Sequence, residues 1–373
     1  MSQAGRIPLF SAALVNQGID LAGAVSRVLA SNSFILGQEV AQFESEFASH
    51  VGVAHCVSVA NGTDALELAL RAVGVVPGNS VACVANAGFY SSTAANLVGA
   101  VPCYVDVDEA TLTMCTEDLA RALEPRTAAV IVTHLYGQLA DIESIASLCR
   151  ARSIPLIEDC AQAHGALLGG KRAGSFADIG CFSFYPTKNL GAIGDGGAVV
   201  THDDRLAGRV RVLRQYGWSE KYQVTQLGGR NSRLDELQAA VLREKLPHLD
   251  RQNAQRRVIA GRYNQAFTGL PLRLPSSNGD DFVAHLYVVR SPQRQALRAH
   301  LLERRVATDI HYPIADSRQP AWQGRLVAPP LPVTEAACAS VLSLPCFPGM
   351  ADEQVEHVVR SLLSFFSVAG VRC

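Results

Sequence analysis

The sequence predicts an α/β protein with two domains, a large one with a mostly parallel central sheet and a smaller C-terminal α/β one. Its 373 residues are more than one hydrophobic core usually supports. From roughly residue 50 to 205, short Val- and Ile-rich runs alternate with stretches of helical periodicity, the pattern of an α/β domain. A long polar helix within RNSRLDELQAAVLREKLPHLDRQNAQRRVIAGRYNQAF leads into a segment of different composition, and the second domain is expected to begin near residue 250. We therefore expect the large domain over 1–250 and the small one over 251–373.

Short apolar runs predict the strands of the large domain. Each run is bounded by Gly, Pro, Asn or Asp, the residues that favour turns. Because the runs are continuously apolar, we expect strands that helices cover on both faces, as in parallel sheets. The predicted strands are HCVSVA, SVACVA, VPCYVDV, TAAVIVTHL, IPLIEDC, DIGCFSFY and GGAVVTH.

Helical periodicity lies between and around these runs. The segments NGTDALELALRAVG and ADIESIASLCRARS carry it, and Asn61 and Asp141 stand where N-caps are expected. Two amphipathic helices are expected at about 19–31 and 38–49, packed against either domain. In the small domain a helix at 293–304 is expected to follow the strand-like run HLYVVR.

Composition and charge exclude several classes of partner and site. The 33 basic and 34 acidic side chains give a net charge of −1, and no Lys/Arg block is present, which argues against nucleic acid and membrane partners. The ten cysteines are scattered singly, without a C-x-x-C pair, which indicates buried thiols in a reducing compartment and no metal site. The N-terminus lacks the features of a signal peptide, so we expect a cytoplasmic protein.

The stretch Asn61-Gly62-Thr63-Asp64 joins a predicted strand to a predicted helix. The free N–H groups and the positive dipole end of a helix start bind phosphate. Gly62 would let the backbone approach such a group closely, and the Thr63 hydroxyl adds a donor. Because an Asn-Gly pair before a helix is also ordinary capping, this stretch alone leaves both interpretations open.

A carboxylate follows a buried strand in IPLIEDCAQAHGA. The apolar run leads directly into Glu158 and Asp159 at the C-terminal end of the strand, where open α/β sheets bind ligands. An acidic residue at this place also caps the next helix, so Asp159 by itself does not decide between a ligand site and a cap.

Lys188 lies between an aromatic strand-like run and four glycines within seven residues. Burial at a strand end lowers the pKa of a lysine and makes its neutral amine available to an aldehyde. A carboxylate is the partner that a pyridinium nitrogen needs, and a helix N-terminus is what a phosphomonoester needs. Pyridoxal phosphate (PLP) carries all three groups. The sequence therefore predicts a PLP enzyme in which Lys188 is the Schiff-base lysine.

The whole chain resembles the DegT-type (DegT/StrS) nucleotide-sugar aminotransferases, which are fold-type I PLP enzymes. The resemblance covers nearly all of the sequence, with the motifs in the order and at the spacing of that family. The matching motifs are NGTDAL, GFYSSTAANLVGAVPCYVDVD, HLYGQLADIESI, IEDCAQAHGA, SFYPTKNLGAIGDGGAVVT, NSRLDELQAA, DIHYP and LSLPCFPGM.

The resemblance implies a role for each matching residue. Lys188 is implied to form the Schiff base, and Asp159 to pair with the pyridine nitrogen. Phe89 would stack on the ring, and Gln162 would meet its phenolic oxygen. Asn231 matches an asparagine that reaches the phosphate of the neighbouring subunit, which implies a homodimer with shared active sites. Within one subunit the phosphate would be held by Gly62, Thr63, Asp64 and Ser183.

Taken singly, several of these residues have another interpretation. Phe89 could be part of the core, Gln162 and Ser183 could cap helices, and Asn231 could be a turn residue. The order of the motifs along the chain is what favours the functional roles.

The resemblance also implies a substrate class. An amino group would move from glutamate, leaving 2-oxoglutarate, to a nucleotide-linked keto-6-deoxyhexose such as a dTDP-4-keto or dTDP-3-keto sugar. His311 and Tyr312 are the implied substrate residues. Many relatives continue there as His-Tyr-Pro-x-Pro-x-His, whereas this chain has Ala315 and Ser317 in place of the second proline and the second histidine. Because this loop is expected near the sugar, the sequence leaves the sugar and the aminated carbon open.

Two other functions fit the same fold. Related PLP enzymes that dehydrate sugars carry a histidine where this chain has Lys188. A regulatory or binding protein that keeps the fold without catalysis would have no need of the reactive groups. The presence of both Lys188 and Asp159 argues against these alternatives.

Overall fold

The computed structural model describes residues 5–324, 326 and 328–368 of the chain. Its strands are β1 His55–Val59, β2 Ser80–Val84, β3 Val101–Val105, β4 Thr127–Thr133, β5 Leu156–Asp159, β6 Leu167–Leu168, β7 Lys171–Arg172, β8 Ile179–Ser183, β9 Gly197–Thr201, β10 Trp218–Glu220, β11 Gln223–Val224, β12 Tyr287–Arg290 and β13 Val341–Leu344. Its α-helices are α1 Ala12–Val15, α2 Leu21–Ser31, α3 Gln38–Val51, α4 Gly62–Ala72, α5 Tyr90–Leu97, α6 Thr116–Ala122, α7 Ile142–Arg152, α8 Asp204–Leu213, α9 Glu236–Lys245, α10 Leu249–Phe267, α11 Arg294–Glu303, α12 Pro332–Ser340 and α13 Asp352–Val368.

A seven-stranded sheet forms the centre of the molecule, in the order β1-β9-β8-β5-β4-β2-β3. The strands from β8 to β3 pair in parallel, whereas β9 runs antiparallel to both of its neighbours, β1 and β8. All seven strands predicted for the large domain are confirmed, and they are the seven strands of this sheet.

Alternate residues of the central strands pack into two different cores. In β4, Ala129 and Ile131 join the core on one face of the sheet, whereas Val130 and Val132 join the core on the other face. All four side chains are fully buried. This two-sided burial explains why the strands read as continuous apolar runs in the sequence. It also orients every second side chain at a strand end toward the same face.

The predicted helix caps are confirmed. The Asn61 side chain accepts a hydrogen bond from the N–H of Asp64, and the Asp141 side chain accepts one from Ser144. The long polar helix expected before residue 267 is interrupted, because α9 and α10 are separated by the short 3₁₀ turn Leu246–His248. Pro247 lies in this turn, where its missing N–H and its ring prevent a regular helix from continuing.

A separate core lies around the antiparallel pair β12–β13. Helices α10, α11 and α13 contribute to it, and Ile7 from the start of the described chain is buried there too. Helices α2 and α3 belong instead with the large sheet, since both pack on α9 and α3 also contacts β1. The domain division at residue 250 stays a prediction. No described helix is long and apolar enough to cross a membrane.

Candidate active site

A cavity of about 870 Å³ opens at the carboxyl ends of the parallel strands. Strand β4 ends at Thr133, β5 at Asp159 and β8 at Ser183, and all three residues line the cavity. Lys188 follows β8 closely in sequence and lines the same cavity. Because parallel strands end at one edge of the sheet, Thr133 and Lys188 meet in one cavity although they are 55 positions apart in the chain.

The start of α4 borders this cavity with Gly62 and Thr63. The first N–H groups of a helix have no intrahelical acceptor, so both residues offer donors to an anion. Gly62 lies very close to β8, because a Cβ at this position would be 2.6 Å from the Cβ of Ser183. The absence of a side chain thus brings two backbone donors and the Ser183 hydroxyl around one point.

Asp64 is placed differently from the other implied phosphate residues. Its N–H donates to Oδ1 of Asn61 at 2.8 Å, so the helix cap already uses this donor. Its buried carboxylate lies 3.4 Å from the guanidinium of Arg230. Asp64 is not among the residues that line the cavity. The structure therefore brings Gly62, Thr63 and Ser183 together and leaves Asp64 behind them.

The two carboxylates at the end of β5 have separate surroundings, because successive side chains of a strand point to opposite faces. Asp159 faces the cavity, where its carboxylate accepts hydrogen bonds from the Thr133 hydroxyl at 3.2 Å and the Ala161 N–H at 3.1 Å. Burial raises the pKa of this carboxyl, while the Ala161 N–H and the charge of Lys188 act in the opposite direction. Asp159 is thus a buried acid that a cation in the cavity would keep ionised.

Glu158, on the other face, serves the fold. Its carboxylate oxygens accept hydrogen bonds from the backbone N–H groups of Gly174, Phe176 and Ala177, at 2.8, 2.8 and 3.0 Å respectively. Nε2 of His134 lies 3.0 Å from the same carboxylate. Gly174, Phe176 and Ala177 belong to the turn before β8, and His134 follows the end of β4. None of these partners is a cavity residue.

Lys188 is the basic group of the cavity that faces Asp159. Burial lowers the pKa of its amine to about 8, and the nearby Asp159 charge opposes this shift. A substantial fraction of the amine is therefore neutral near physiological pH and can act as a nucleophile or proton acceptor.

Gln162 is held in a defined orientation. Its Oε1 accepts the N–H of Tyr136 at 2.7 Å, so the amide nitrogen is left to point toward other acceptors. This Nε2 donates to the hydroxyl of Tyr312 at 3.3 Å, and both side chains line the cavity. Gln162 therefore presents a hydrogen-bond donor to the cavity, as its predicted role requires.

The structure does not bring Phe89 to the cavity. Phe89 has a left-handed backbone with φ of 71° at the start of α5, and its ring packs on Trp322 with centroids 5.6 Å apart. The next residue, Tyr90, lines the cavity together with Tyr312, and their rings meet edge to face. Sequence reasoning missed Tyr90, although the motif GFYSS offers two adjacent aromatic residues.

The loop after residue 310 brings His311 and Tyr312 to the cavity, as expected. Nδ1 of His311 lies 2.8 Å from the hydroxyl of Ser343. The two positions that depart from the usual motif, Ala315 and Ser317, are buried and are not cavity residues. Between them Asp316 is fully buried and accepts the N–H of Phe89 at 2.8 Å, which fastens this loop to the start of α5.

Comparison with known proteins identifies the family. A model of the DegT/DnrJ/EryC1/StrS aminotransferase family matches residues 17–363. The chain belongs to this family.

The aminotransferase is 43% identical, over 92% of its own length and 94% of the relative's, to dTDP-3-amino-3,4,6-trideoxy-alpha-D-glucose transaminase of Micromonospora megalomicea subsp. nigra. It is 42% identical, over 90% of both chains, to UDP-N-acetyl-3-dehydro-alpha-D-glucosamine 3-aminotransferase of Acidithiobacillus ferrooxidans. Among solved structures it is similar to S. venezuelae DesV in complex with a ketimine intermediate. That similarity has a TM-score of 0.93 at 40% identity, over 97% of this chain and 98% of the other.

The aminotransferase uses pyridoxal phosphate, and the residues at the cavity fit this cofactor. Gly62, Thr63 and Ser183 offer donors to a phosphate, and a side chain at position 62 would fill the space between them. Asp159 is a buried carboxylate without a cationic hydrogen-bond partner in the described structure, as a pyridinium nitrogen requires. Lys188 supplies the amine for the aldehyde.

Asn231 of the aminotransferase is exposed and is not among the cavity residues of its own chain. Two residues that do line the cavity, Arg256 and His285, were missed by sequence reasoning. Arg256 is buried in the middle of α10, where only helical periodicity was visible in the sequence. His285 opens the predicted strand HLYVVR, and a polar residue directly before an apolar run was the available signal.

Proposed function

We propose that this protein transfers the amino group of glutamate to the keto carbon at position 3 of a nucleotide-linked 6-deoxyhexose, as a cytoplasmic homodimer. The observation that carries the proposal is that Lys188, Asp159 and the start of α4 line one cavity. Within this site, pyridoxal phosphate supplies the electron-withdrawing ring that allows an amino group to be exchanged between two substrates.

Lys188 acts both as the attachment point of the cofactor and as the group that moves protons during amino transfer. Its burial supports this role, because an amine with a pKa near 8 both accepts and returns a proton at neutral pH. Asp159 keeps the proton on the pyridine nitrogen. Its position opposite Lys188, with hydrogen bonds from Thr133 and Ala161, holds the carboxylate in one orientation.

The position of amination is supported by the relatives, which differ in nucleotide but share the carbon. The similar transaminases from Micromonospora and Acidithiobacillus act on a dTDP sugar and a UDP sugar respectively, and both names specify carbon 3. His311 and Tyr312 are the residues at the cavity that we assign to the sugar.

The homodimer is supported by an apolar surface next to Asn231. The hairpin β10–β11 and the turn after it expose Tyr222, Val224 and Leu227, with exposed fractions of 77%, 55% and 94%. Three large apolar side chains so exposed within six residues are unfavourable in water and are typical of a protein interface. A second copy that covers these side chains would lie beside Asn231, which pairs with Gln215 at the base of the hairpin and which we propose reaches the cavity of the other subunit. The cytoplasmic location is supported by the nine described cysteines, all of which are free thiols.

The alternatives of sugar dehydration and a purely regulatory role have no support in the site. The dehydration chemistry of related enzymes goes with a histidine at the position of Lys188, and a protein without catalysis would not need to hold a lysine and a carboxylate in one buried cavity.

The substrate assignment is tested by incubating the PLP-loaded protein with glutamate and a panel of dTDP-, UDP- and GDP-linked 3-keto and 4-keto sugars. Mass spectrometry and NMR of the products give the sugar and the carbon. We expect a 3-amino sugar and stoichiometric 2-oxoglutarate. Amination only at carbon 4, or no conversion of any keto sugar, contradicts the proposal.

The shared site is tested by mixing Lys188→Ala with Asn231→Ala subunits at limiting PLP under conditions that allow exchange. One site of the mixed dimer then combines Lys188 of one chain with Asn231 of the other, so activity should rise above that of both parents. Mixing Lys188→Ala with Asp159→Asn is the matched control, since these residues serve the same subunit and no intact site can form. If the first mixture behaves like the control, Asn231 does not act across the interface.

A further inference from the structure

A chain of buried amide hydrogen bonds leads from α10 to the cavity beside Lys188. Nδ2 of Asn253 donates to the carbonyl oxygen of His164 at 2.8 Å. Oδ1 of Asn253 accepts a hydrogen bond from Nδ2 of Asn189 at 2.8 Å. The same Nδ2 also donates to the carbonyl oxygen of Val283 at 3.1 Å. Oδ1 of Asn189 then lies 3.1 Å from Nδ1 of His285. All three side chains in this relay are buried.

These contacts fix the direction of every bond in the relay. Because the amide nitrogen of Asn189 serves two carbonyl-type acceptors, its oxygen is the atom that faces His285. Nδ1 of His285 must therefore carry a proton and donate a hydrogen bond to Oδ1 of Asn189. A neutral imidazole with its proton on Nδ1 has a lone pair on Nε2.

The surroundings of His285 keep the ring neutral. Burial lowers its pKa well below the ordinary value, and the positive charges of Lys188 and Arg256 act in the same direction. The neighbouring histidines His164 and His311 also disfavour a positive charge on His285. His285 lines the cavity, and Nε2 makes no hydrogen bond to the described part of the chain. The relay therefore presents an uncharged hydrogen-bond acceptor to the active site.

We propose that Nε2 of His285 accepts a hydrogen bond from the amine of Lys188 whenever that amine is released from the cofactor, so that His285 is a positioning residue for the acid–base group. Two observations point to Lys188 as the donor. Asn189, the residue that orients His285, directly follows Lys188 in the chain. The side chains of Lys188 and His285 both line one cavity. The inference rests on the proton-moving role of Lys188 in the proposed function.

A neutral acceptor has a different effect from a carboxylate at this place. An amine that paired with Asp159 would be held as an ammonium ion, and it would occupy the carboxylate that the cofactor ring needs. A hydrogen bond to His285 fixes one N–H of the amine and leaves its lone pair free toward the reacting carbon. Misplacing such a group by about an ångström costs on the order of 100-fold in rate.

The tautomer is tested directly by NMR of the holoenzyme with ¹⁵N-labelled histidine. The signals of His285 are identified among the ten histidines by their loss in His285→Gln. We expect a protonated Nδ1 and an unprotonated Nε2 at neutral pH. In Asn189→Leu, which removes the acceptor of Nδ1–H, we expect this single tautomer to be lost. A proton on Nε2 in the wild-type enzyme overturns the inference.

The positioning role is tested by stopped-flow measurement of the half-reaction with glutamate and with α-deuterated glutamate. We expect His285→Phe to slow this step about 10- to 100-fold, with a larger deuterium effect and little change in glutamate affinity. His285→Gln keeps an acceptor and should recover part of the rate. The exposed His202→Gln is the matched control and should behave as wild type.

The outcomes separate the inference from the proposed function. If wild-type protein shows no half-reaction with glutamate, the proposed function fails while the NMR result still reports the relay. If the half-reaction is present and His285→Phe retains the wild-type rate and isotope effect, the positioning role is wrong. Should His285→Phe fail to fold, the comparison of His285→Gln and Asn189→Leu decides, since unchanged rates in both also overturn it.

Discussion

The close contact between Gly62 and β8 allows the phosphate site to be tested by one added methyl group. In Gly62→Ala the new Cβ would lie 2.6 Å from Cβ and 3.2 Å from Cα of Ser183, so either α4 or β8 must shift. Overpacking of this kind costs about 1–3 kcal/mol in stability. The shift also misdirects the helix-start donors, and one weakened hydrogen bond to a charged phosphate costs roughly 1.5–3 kcal/mol. Because about 1.4 kcal/mol corresponds to tenfold, we expect PLP affinity to fall by about 10- to 100-fold.

PLP binding to the apoprotein is measured by titration, and apoprotein stability by thermal unfolding. Gly208→Ala is the matched control, because Gly208 lies within α8 and a Cβ there meets no atom within 4 Å. This control should keep PLP affinity and gain roughly 0.5–1 kcal/mol from helix propensity. If Gly62→Ala binds PLP as tightly as the control and is equally stable, the close approach that defines the cradle is not real.

Three further predictions concern the ionisable groups. In the apoprotein, the rate of reductive methylation of Lys188, followed by mass spectrometry, should rise with pH with a midpoint near pH 8. Burial lowers the pKa of this amine to about 8, and the neutral form above the pKa is the reactive one. A midpoint near the pKa of an ordinary lysine would contradict this. Asp159→Asn should fold and bind PLP yet lose most transamination, because an amide does not hold the pyridinium proton as a carboxylate does, and near wild-type turnover would refute the role. Glu158→Gln should instead lower the free energy of unfolding of the apo and the holo protein alike. One lost hydrogen bond to a charged acceptor costs about 1.5–3 kcal/mol. A variant as stable as wild type would show that the turn does not depend on this carboxylate.

The sequence carried enough information to predict the sheet and most of the cavity. The inner strands β2, β4, β5, β8 and β9 are buried on both faces, so their apolar runs are uninterrupted and their ends are marked by turn residues. Parallel strands place their carboxyl ends together, which is why the sequence predicted that Asp159 and Lys188 share one site. Ser183 was assigned to this site only through the family resemblance.

Contacts between distant parts of the chain explain what the sequence could not predict. Whether Phe89 or Tyr90 faces the cavity depends on the left-handed backbone at Phe89, and its N–H is bound by Asp316, 227 residues away in the chain. The orientation of His285 depends on Asn189 and Asn253, which come from two other segments. Local periodicity and propensity contain no information about such pairings.

Because the side chains at the end of β5 point alternately to opposite faces of the sheet, the number of residues in this strand is fixed. Glu158 holds the turn before β8, and Asp159, its immediate neighbour, faces the cavity. An insertion or deletion of one residue within Leu156–Asp159 would turn both side chains to the opposite faces together. The turn would lose its acceptor in the same event that removed the carboxylate from the active site. Single substitutions in this strand therefore affect the turn or the active site separately, whereas a change of its length affects both. A library that varies the strand length here should yield no folded and active members.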